Sequence, residues 1–120
     1  MAPGRHYVVL HTHPGSTSLS VLDVALLVAQ PAVAMVIAVG TDGTWYIGSL
    51  DTQRQRPSLR TIYDGYDATY RATVDQYDAL TTAGRLSQRQ AGRRHSHEVW
   101  VQAGPALGVR YDRVAGVRRT

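Results

Sequence analysis

The feature that most constrains the fold is an apolar run that ends in two histidines and is followed at once by a turn. Val8-Val9-Leu10 leads into His11-Thr12-His13, and Pro14-Gly15 stops a strand at that point. Side chains two residues apart on a strand share one face, so His11 and His13 are predicted to point the same way. We therefore expect a buried first strand that presents two imidazoles at its end.

A helix is predicted to begin shortly after this strand. Ser20-x-x-Asp23 stands directly before the apolar run Val24 to Ala29, which is the pattern of a capped helix start. Asp23 then lies in the first helical turn, near the two histidines. Two imidazoles and one carboxylate supply three ligands and leave a fourth position open, as in zinc sites that activate water. Taken alone, Ser-x-x-Asp is more often a helix cap, so the strand-then-helix context carries this interpretation.

The combination of His11-x-His13-Pro14 with Ser20-x-x-Asp23 resembles the signature of the JAMM/MPN+ (JAB domain) metallopeptidases. Within that family, the sequence is most similar to the prokaryotic and phage branch. The resemblance implies an α/β fold, in which a small mixed β-sheet is packed by helices. It also implies that His11, His13 and Asp23 bind zinc and that Ser20 helps to stabilise a tetrahedral intermediate. The implied activity is hydrolysis of a peptide or isopeptide bond in a protein or peptide substrate.

The general base of that family is a glutamate on an earlier strand, and this sequence departs from the pattern. No acidic residue precedes His11. Glu98 is the only glutamate in the chain, and it is the predicted base by elimination alone, because a zinc hydrolase needs a carboxylate near the attacking water. Three explanations stay open. The chain starts inside a longer protein, a homo- or hetero-oligomeric partner completes the sheet and supplies the base, or the domain is a catalytically inactive module that binds metal or protein.

Composition narrows the class of protein. A chain of 120 residues predicts a single domain (1–120), with a motif core at 7–50 and a helical part at 58–120. The absence of cysteine excludes disulfides, thiolate metal sites and a cysteine nucleophile, and argues against a zinc nucleoside deaminase. The longest apolar run, 32–39, is too short to span a bilayer, and the start lacks the apolar stretch of a signal peptide. We expect a cytoplasmic protein without a membrane partner.

The positive charge is carried entirely by arginine. All 13 basic residues are arginine, and the net charge is +4 with neutral histidines. Arginine pairs well with phosphate and carboxylate, but these arginines are spread along the chain. Nucleic-acid binding is therefore only a minor hypothesis.

Periodicity predicts the remaining elements of the first half. Val33 to Val39 is predicted to be a buried strand and Thr44 to Ile47 its hairpin partner, with Asp42-Gly43 in a type I′ turn between them. These follow a first strand over Tyr7 to Leu10 and a helix over Val21 to Ala29.

The second half is predicted to be mainly helical. An aromatic stripe predicts a helix over about 67–82, facing the core or, alternatively, a partner or substrate; it comprises Tyr63, Tyr66, Tyr70, Val74 and Tyr77. Ser87 is predicted to cap a further helix that Gly104-Pro105 ends or kinks, followed by an edge strand over 108–114 and a basic tail at 118–120. His95 and His97 are two apart on this helix and point about 200° apart, so we expect them to be solvated or capping and not to form a second metal site.

Overall fold

A computed structural model of the protein describes residues 5–116, and it shows an α/β fold with one four-stranded mixed sheet and three helices. The strands lie in the order β1-β2-β3-β4; β1 is parallel to β2, and the other neighbours are antiparallel. The elements in chain order are β1 (Tyr7–His13), α1 (Val21–Ala29), β2 (Val33–Gly40), β3 (Trp45–Leu50), α2 (Leu59–Thr82), α3 (Gln88–Leu107) and β4 (Val109–Val114). The predicted basic tail at 118–120 lies outside the described residues.

The core lies between one face of the sheet and the helices. Val36 and Ala38 of β2 and Tyr46 of β3 are buried on that face against Leu27 of α1 and Trp100 of α3. Trp100 is fully buried and its indole N–H donates to the carbonyl of Leu19 over 2.6 Å, so its one polar atom is satisfied. We call this side of the sheet the inner face.

The opposite face of the sheet is largely uncovered, which makes the prediction of a buried first strand wrong. Val8 and Leu10 of β1 are 58% and 60% exposed. Val114 of β4 and Trp45 of β3 are also exposed on this outer face. Because β1 is an edge strand and the helices pack on the inner face, only alternate residues of β1 are shielded from solvent.

The first helix has its predicted bounds, whereas three neighbouring predictions need correction. The strand predicted over Tyr7 to Leu10 extends to His13, because its parallel register with β2 continues to Gly40. The β2–β3 turn is not type I′, which needs positive φ at two residues; at Asp42-Gly43 only Gly43 has it (φ 82°). Helix α2 begins at Leu59, capped by Ser58, and so starts earlier than predicted.

Helix α3 does not end at Gly104-Pro105. Pro105 lies inside the last turn, where its missing N–H removes one hydrogen bond, and the helix continues to Leu107. Gly108, at φ 75°, ends it in the left-handed conformation that glycine adopts without steric cost. The chain then enters β4, which confirms the predicted edge strand.

His95 is buried, so its prediction as a solvated or capping residue is wrong. Its ring stacks between Tyr70 and Tyr77, at centroid distances of 4.3 and 4.7 Å, and its Nε2 shares a 2.7 Å hydrogen bond with the hydroxyl of Thr73. Part of the aromatic stripe of α2 therefore packs against α3. Tyr70 itself stays 41% exposed at the edge of this contact.

Within residues 5–116, no helix is both long enough and apolar enough to cross a membrane.

Candidate metal centre

His11 and His13 lie on the inner face of β1, as the strand period predicts. Their rings meet edge to face at a centroid distance of 4.7 Å. The side chain of His11 is 38% exposed and that of His13 is 16% exposed, so the pair lies at the surface with one side against the protein. Strand β1 thus fixes the spacing and the direction of two imidazoles.

Asp23 is directed towards these histidines by a capping box at the start of α1. The backbone N–H of Asp23 donates to Ser20 Oγ over 3.1 Å, and the backbone N–H of Ser20 donates to Asp23 Oδ2 over 2.8 Å. The carboxylate is therefore tied to the helix start and is only 11% exposed. One sequence motif caps the helix and also aims a ligand.

The three side chains converge. One ligand atom from each of His11, His13 and Asp23 lies within 4.8 Å of the others. The Nε2 of His11 is 2.9 Å from Asp23 Oδ1, and the Nε2 of His13 is 3.5 Å from Asp23 Oδ2. Ligand atoms about 2.1 Å from a tetrahedral zinc lie about 3.4 Å apart, and the two distances from the histidines to the carboxylate of Asp23, 2.9 and 3.5 Å, are close to that value.

The hydrogen bonding of both imidazoles also fits a metal. The Nε2 of His11 is buried and makes no aligned hydrogen bond to any residue of 5–116, although Asp23 Oδ1 lies 2.9 Å away. The Nδ1 of His13 lies 3.0 Å from the carbonyl of Thr17 and 3.1 Å from that of Ser18. Because carbonyls only accept, Nδ1 carries the proton and Nε2 is free to coordinate, which is the usual arrangement of a zinc-ligating histidine.

The loop that supplies those carbonyls, residues 14–19, is bound tightly to the inner face of the sheet, and we call it the metal loop. The hydroxyl of Tyr46 donates to the carbonyl of Ser16 over 3.0 Å. Ser18 Oγ shares a 2.6 Å hydrogen bond with the hydroxyl of Tyr111, and both Ser16 and Ser18 are buried. The position of the His13 partners therefore depends on β3 and β4.

A second layer of contacts links the metal loop to α3. The hydroxyl of Tyr111 also lies 2.7 Å from Nδ1 of His97. Burial is the main cause that lowers the pKa of His97, and the positive charge of Arg113 lowers it further, while Glu98 opposes the shift. Burial likewise raises the pKa of Tyr111, so both groups stay neutral near pH 7. Sequence reasoning missed this chain of contacts, because no local motif joins Ser18 to residues on α3 and β4.

No protein-family model, curated protein or solved structure matches this chain. The interpretation of the site rests on its geometry.

The two predicted catalytic residues have different surroundings. Ser20 adjoins the cluster, since it makes both hydrogen bonds of the capping box with Asp23. Glu98 lies on α3 and its Oε2 accepts a 2.6 Å hydrogen bond from the hydroxyl of Tyr77 on α2. In the part of the chain that is described, the metal-capable group consists of His11, His13 and Asp23 and does not include Glu98.

Proposed function

We propose that this protein is a zinc-dependent hydrolase of the JAMM type that cleaves a peptide or isopeptide bond. The observation that carries the proposal is the convergence of His11, His13 and Asp23, with Nε2 of His13 freed by the hydrogen bonds at its Nδ1. Three protein ligands with one side open to solvent are typical of catalytic zinc sites, whereas structural sites use four. A protein or peptide substrate and a cytoplasmic setting are part of the proposal.

The chain's own residues have separate roles in this mechanism. His11, His13 and Asp23 hold the ion and fix its position relative to the start of α1. Zinc, when bound, supplies a Lewis acid and makes hydroxide available near neutral pH. The hydroxyl of Ser20 accepts from the backbone of Asp23, which leaves its own proton free to donate to negative charge that develops on a substrate carbonyl.

Glu98 is the base predicted by elimination, and its contact with Tyr77 bears on that role. The 2.6 Å hydrogen bond from Tyr77 engages Oε2, so the role of base would fall to the other carboxylate oxygen, Oε1. Comparing Glu98→Gln with Tyr77→Phe tests the role, because glutamine keeps an oxygen that can accept from Tyr77 but removes the carboxylate, whereas Tyr77→Phe removes the hydrogen bond and keeps the carboxylate. Loss of cleavage in Glu98→Gln alone, with zinc retained, supports Glu98 as the base. Equal activity in both variants excludes Glu98 as the base.

A second candidate function is a metal-binding module without catalysis. The observation that favours it is the same engagement of Glu98, which leaves the zinc ligands without an assigned carboxylate base. This module would bind zinc with the same residues but would cleave nothing.

Zinc content per chain is the decisive measurement for both candidates. We expect nearly one zinc per wild-type chain by elemental mass spectrometry after reconstitution, and a large loss in Asp23→Asn. Asparagine keeps an oxygen for the backbone N–H of Ser20, so the helix cap survives while the charged ligand is lost. Asp75→Asn, an exposed change on α2, is the matched control and keeps the metal. A wild-type chain without zinc contradicts the proposal.

Activity separates the enzyme from the silent module. A library of internally quenched peptides is incubated with zinc-loaded protein, with and without a chelator. Cleavage that the chelator stops and that is missing from Asp23→Asn supports the hydrolase. Stoichiometric zinc without cleavage of peptides or of a lysine-linked isopeptide supports the silent module.

A further inference from the structure

A positively charged cleft lies beside the metal loop, between the first half of α3 and the ends of β3 and β4. Its volume is about 400 Å³. The side chains that line it come from three elements and a turn: Asp42, Tyr46, Gln90, Arg93, Arg94, His97 and Arg113. We call it the arginine cleft.

Helical and strand periodicity together build this cleft. Gln90, Arg93, Arg94 and His97 follow one another at steps of three, one and three residues, which places them on one face of α3. Arg113 of β4 is directly opposite Tyr46 of β3 in the antiparallel register. The inner face of the sheet therefore brings a third arginine beneath the two on the helix.

The arginines of the cleft lack counter-ions. In residues 5–116, no carboxylate lies within ion-pair distance of Arg93, Arg94 or Arg113. Asp42, the one acidic residue of the lining, uses its Oδ1 to accept the backbone N–H of Thr44 over 3.0 Å. That hydrogen bond is the main cause that lowers the pKa of Asp42, so Asp42 stays ionised, and its single negative charge leaves the lining with a net positive charge.

Arg93 is the least exposed of the three arginines in the cleft. Its Nε is buried and has no hydrogen-bond partner in the described part of the chain, and Arg93 is one of the residues that line the cavity. A buried donor without an acceptor is costly in free energy, and native proteins usually satisfy such groups. By contrast, Arg60 and Arg71 on α2 are exposed and paired with aspartates one turn away. The cleft thus combines one buried, unsatisfied donor on Arg93 with the exposed guanidinium groups of Arg94 and Arg113.

We propose that the arginine cleft is an oxyanion-binding site that takes a carboxylate or phosphate group of a small ligand. Guanidinium groups bind both through paired N–H donors, and the cleft brings three of them to one cavity. The walls are also rigid, because Tyr46 is hydrogen-bonded to the metal loop and His97 to Tyr111. The site uses none of the zinc ligands, so it stands independently of the hydrolase.

Isothermal titration calorimetry of the full chain tests the site with inorganic phosphate and, separately, with N-acetyl-glutamate. Arg93→Gln and Arg113→Gln should each weaken binding of the preferred ion by about tenfold, the loss of one charge-assisted contact. Arg89→Gln is the matched control, because it removes the same charge from the same helix outside the cleft. This control should bind the ion as the wild type does.

Each outcome bears on the site. Preference for phosphate indicates a phosphorylated ligand, and preference for N-acetyl-glutamate indicates an acidic peptide or metabolite; either supports the site when the cleft variants lose it. Wild-type protein that binds neither ion overturns the proposal. Equal weakening in Arg89→Gln and Arg93→Gln also overturns it, because binding would then follow net charge alone. No zinc is present in these titrations, so their failure leaves the metal centre untouched.

Discussion

The ring of His97 connects the metal loop to helix α3 and does so in its neutral form. Burial disfavours the imidazolium, and Arg113 adds a like charge nearby. The hydrogen bond to Tyr111, which also contacts Ser18, is compatible with a neutral ring because the hydroxyl can donate to Nδ1. Protonation of this single side chain therefore opposes the folded state.

The pH dependence of the free energy of unfolding should show that protonation of His97 opposes the folded state. In the unfolded chain His97 binds a proton near pH 6.5, whereas the folded chain binds it only at lower pH. Between these two pKa values the unfolded state carries more protons than the folded state. The free energy of unfolding therefore falls as the pH decreases below about 6.5. Above that pH, His97 adds no further pH dependence to the free energy of unfolding. Urea denaturation at about pH 7 and about pH 5 should show a smaller loss for His97→Gln than for wild type. Equal losses of unfolding free energy in wild type and His97→Gln would contradict a lowered pKa of His97.

At the scale of elements, the start of α1 serves both the helix and the metal centre. Ser20→Ala removes the hydroxyl that accepts from Asp23, and Ser87→Ala removes the same group from the capping box of α3. Both variants should lose about 1 kcal/mol of unfolding free energy. Only Ser20→Ala should weaken zinc binding, by about tenfold, since it loosens a partner of a metal ligand. Competition with a chromophoric chelator measures this, and equal zinc affinity in both variants would contradict the double role.

Replacing Gly92 within α3 and Gly108 at its C-terminal end by alanine should change the free energy of unfolding in opposite directions. Gly92 lies within the helix, and the space that an added methyl group would occupy there is open, so Gly92→Ala should raise the free energy of unfolding by about 0.5–1 kcal/mol. Gly108 ends the helix at φ 75°, and Gly108→Ala should lower it by about 1 kcal/mol. Thermal melts monitored by circular dichroism give both values. Changes of the same sign would contradict the proposed helix end.

Local sequence patterns were sufficient to predict the metal ligands but not the contacts that hold the metal loop in place. The strand period predicted the shared face of His11 and His13, and the capping box predicted the start of α1. Tyr111 reaches Ser18 only through the β3–β4 register, and no local pattern specifies which strands pair. The exposure of Val8 was missed for a similar reason, since an apolar run does not reveal that helices cover one face of the sheet alone.

At the scale of the whole molecule, zinc would connect the edge strand β1 to helix α1. His11 and His13 come from β1, which pairs only with β2, and Asp23 comes from α1, which packs on β2 and β3. A ligand that binds only when these parts are assembled stabilises the folded state as a whole. The metal centre is thus coupled to global unfolding.

Zinc should therefore raise the melting temperature of the entire chain. At a free zinc concentration about 100 times the Kd, the added stability is about 2.7 kcal/mol. For a chain of this size that corresponds to a shift of roughly 10 °C. Differential scanning calorimetry should show this shift for wild type and for Arg93→Gln, whose cleft is separate from the ligands, and should show almost none for Asp23→Asn. An equal shift in Asp23→Asn would mean that zinc binds elsewhere, because the carboxylate of Asp23 is the group of α1 that lies against both His11 and His13.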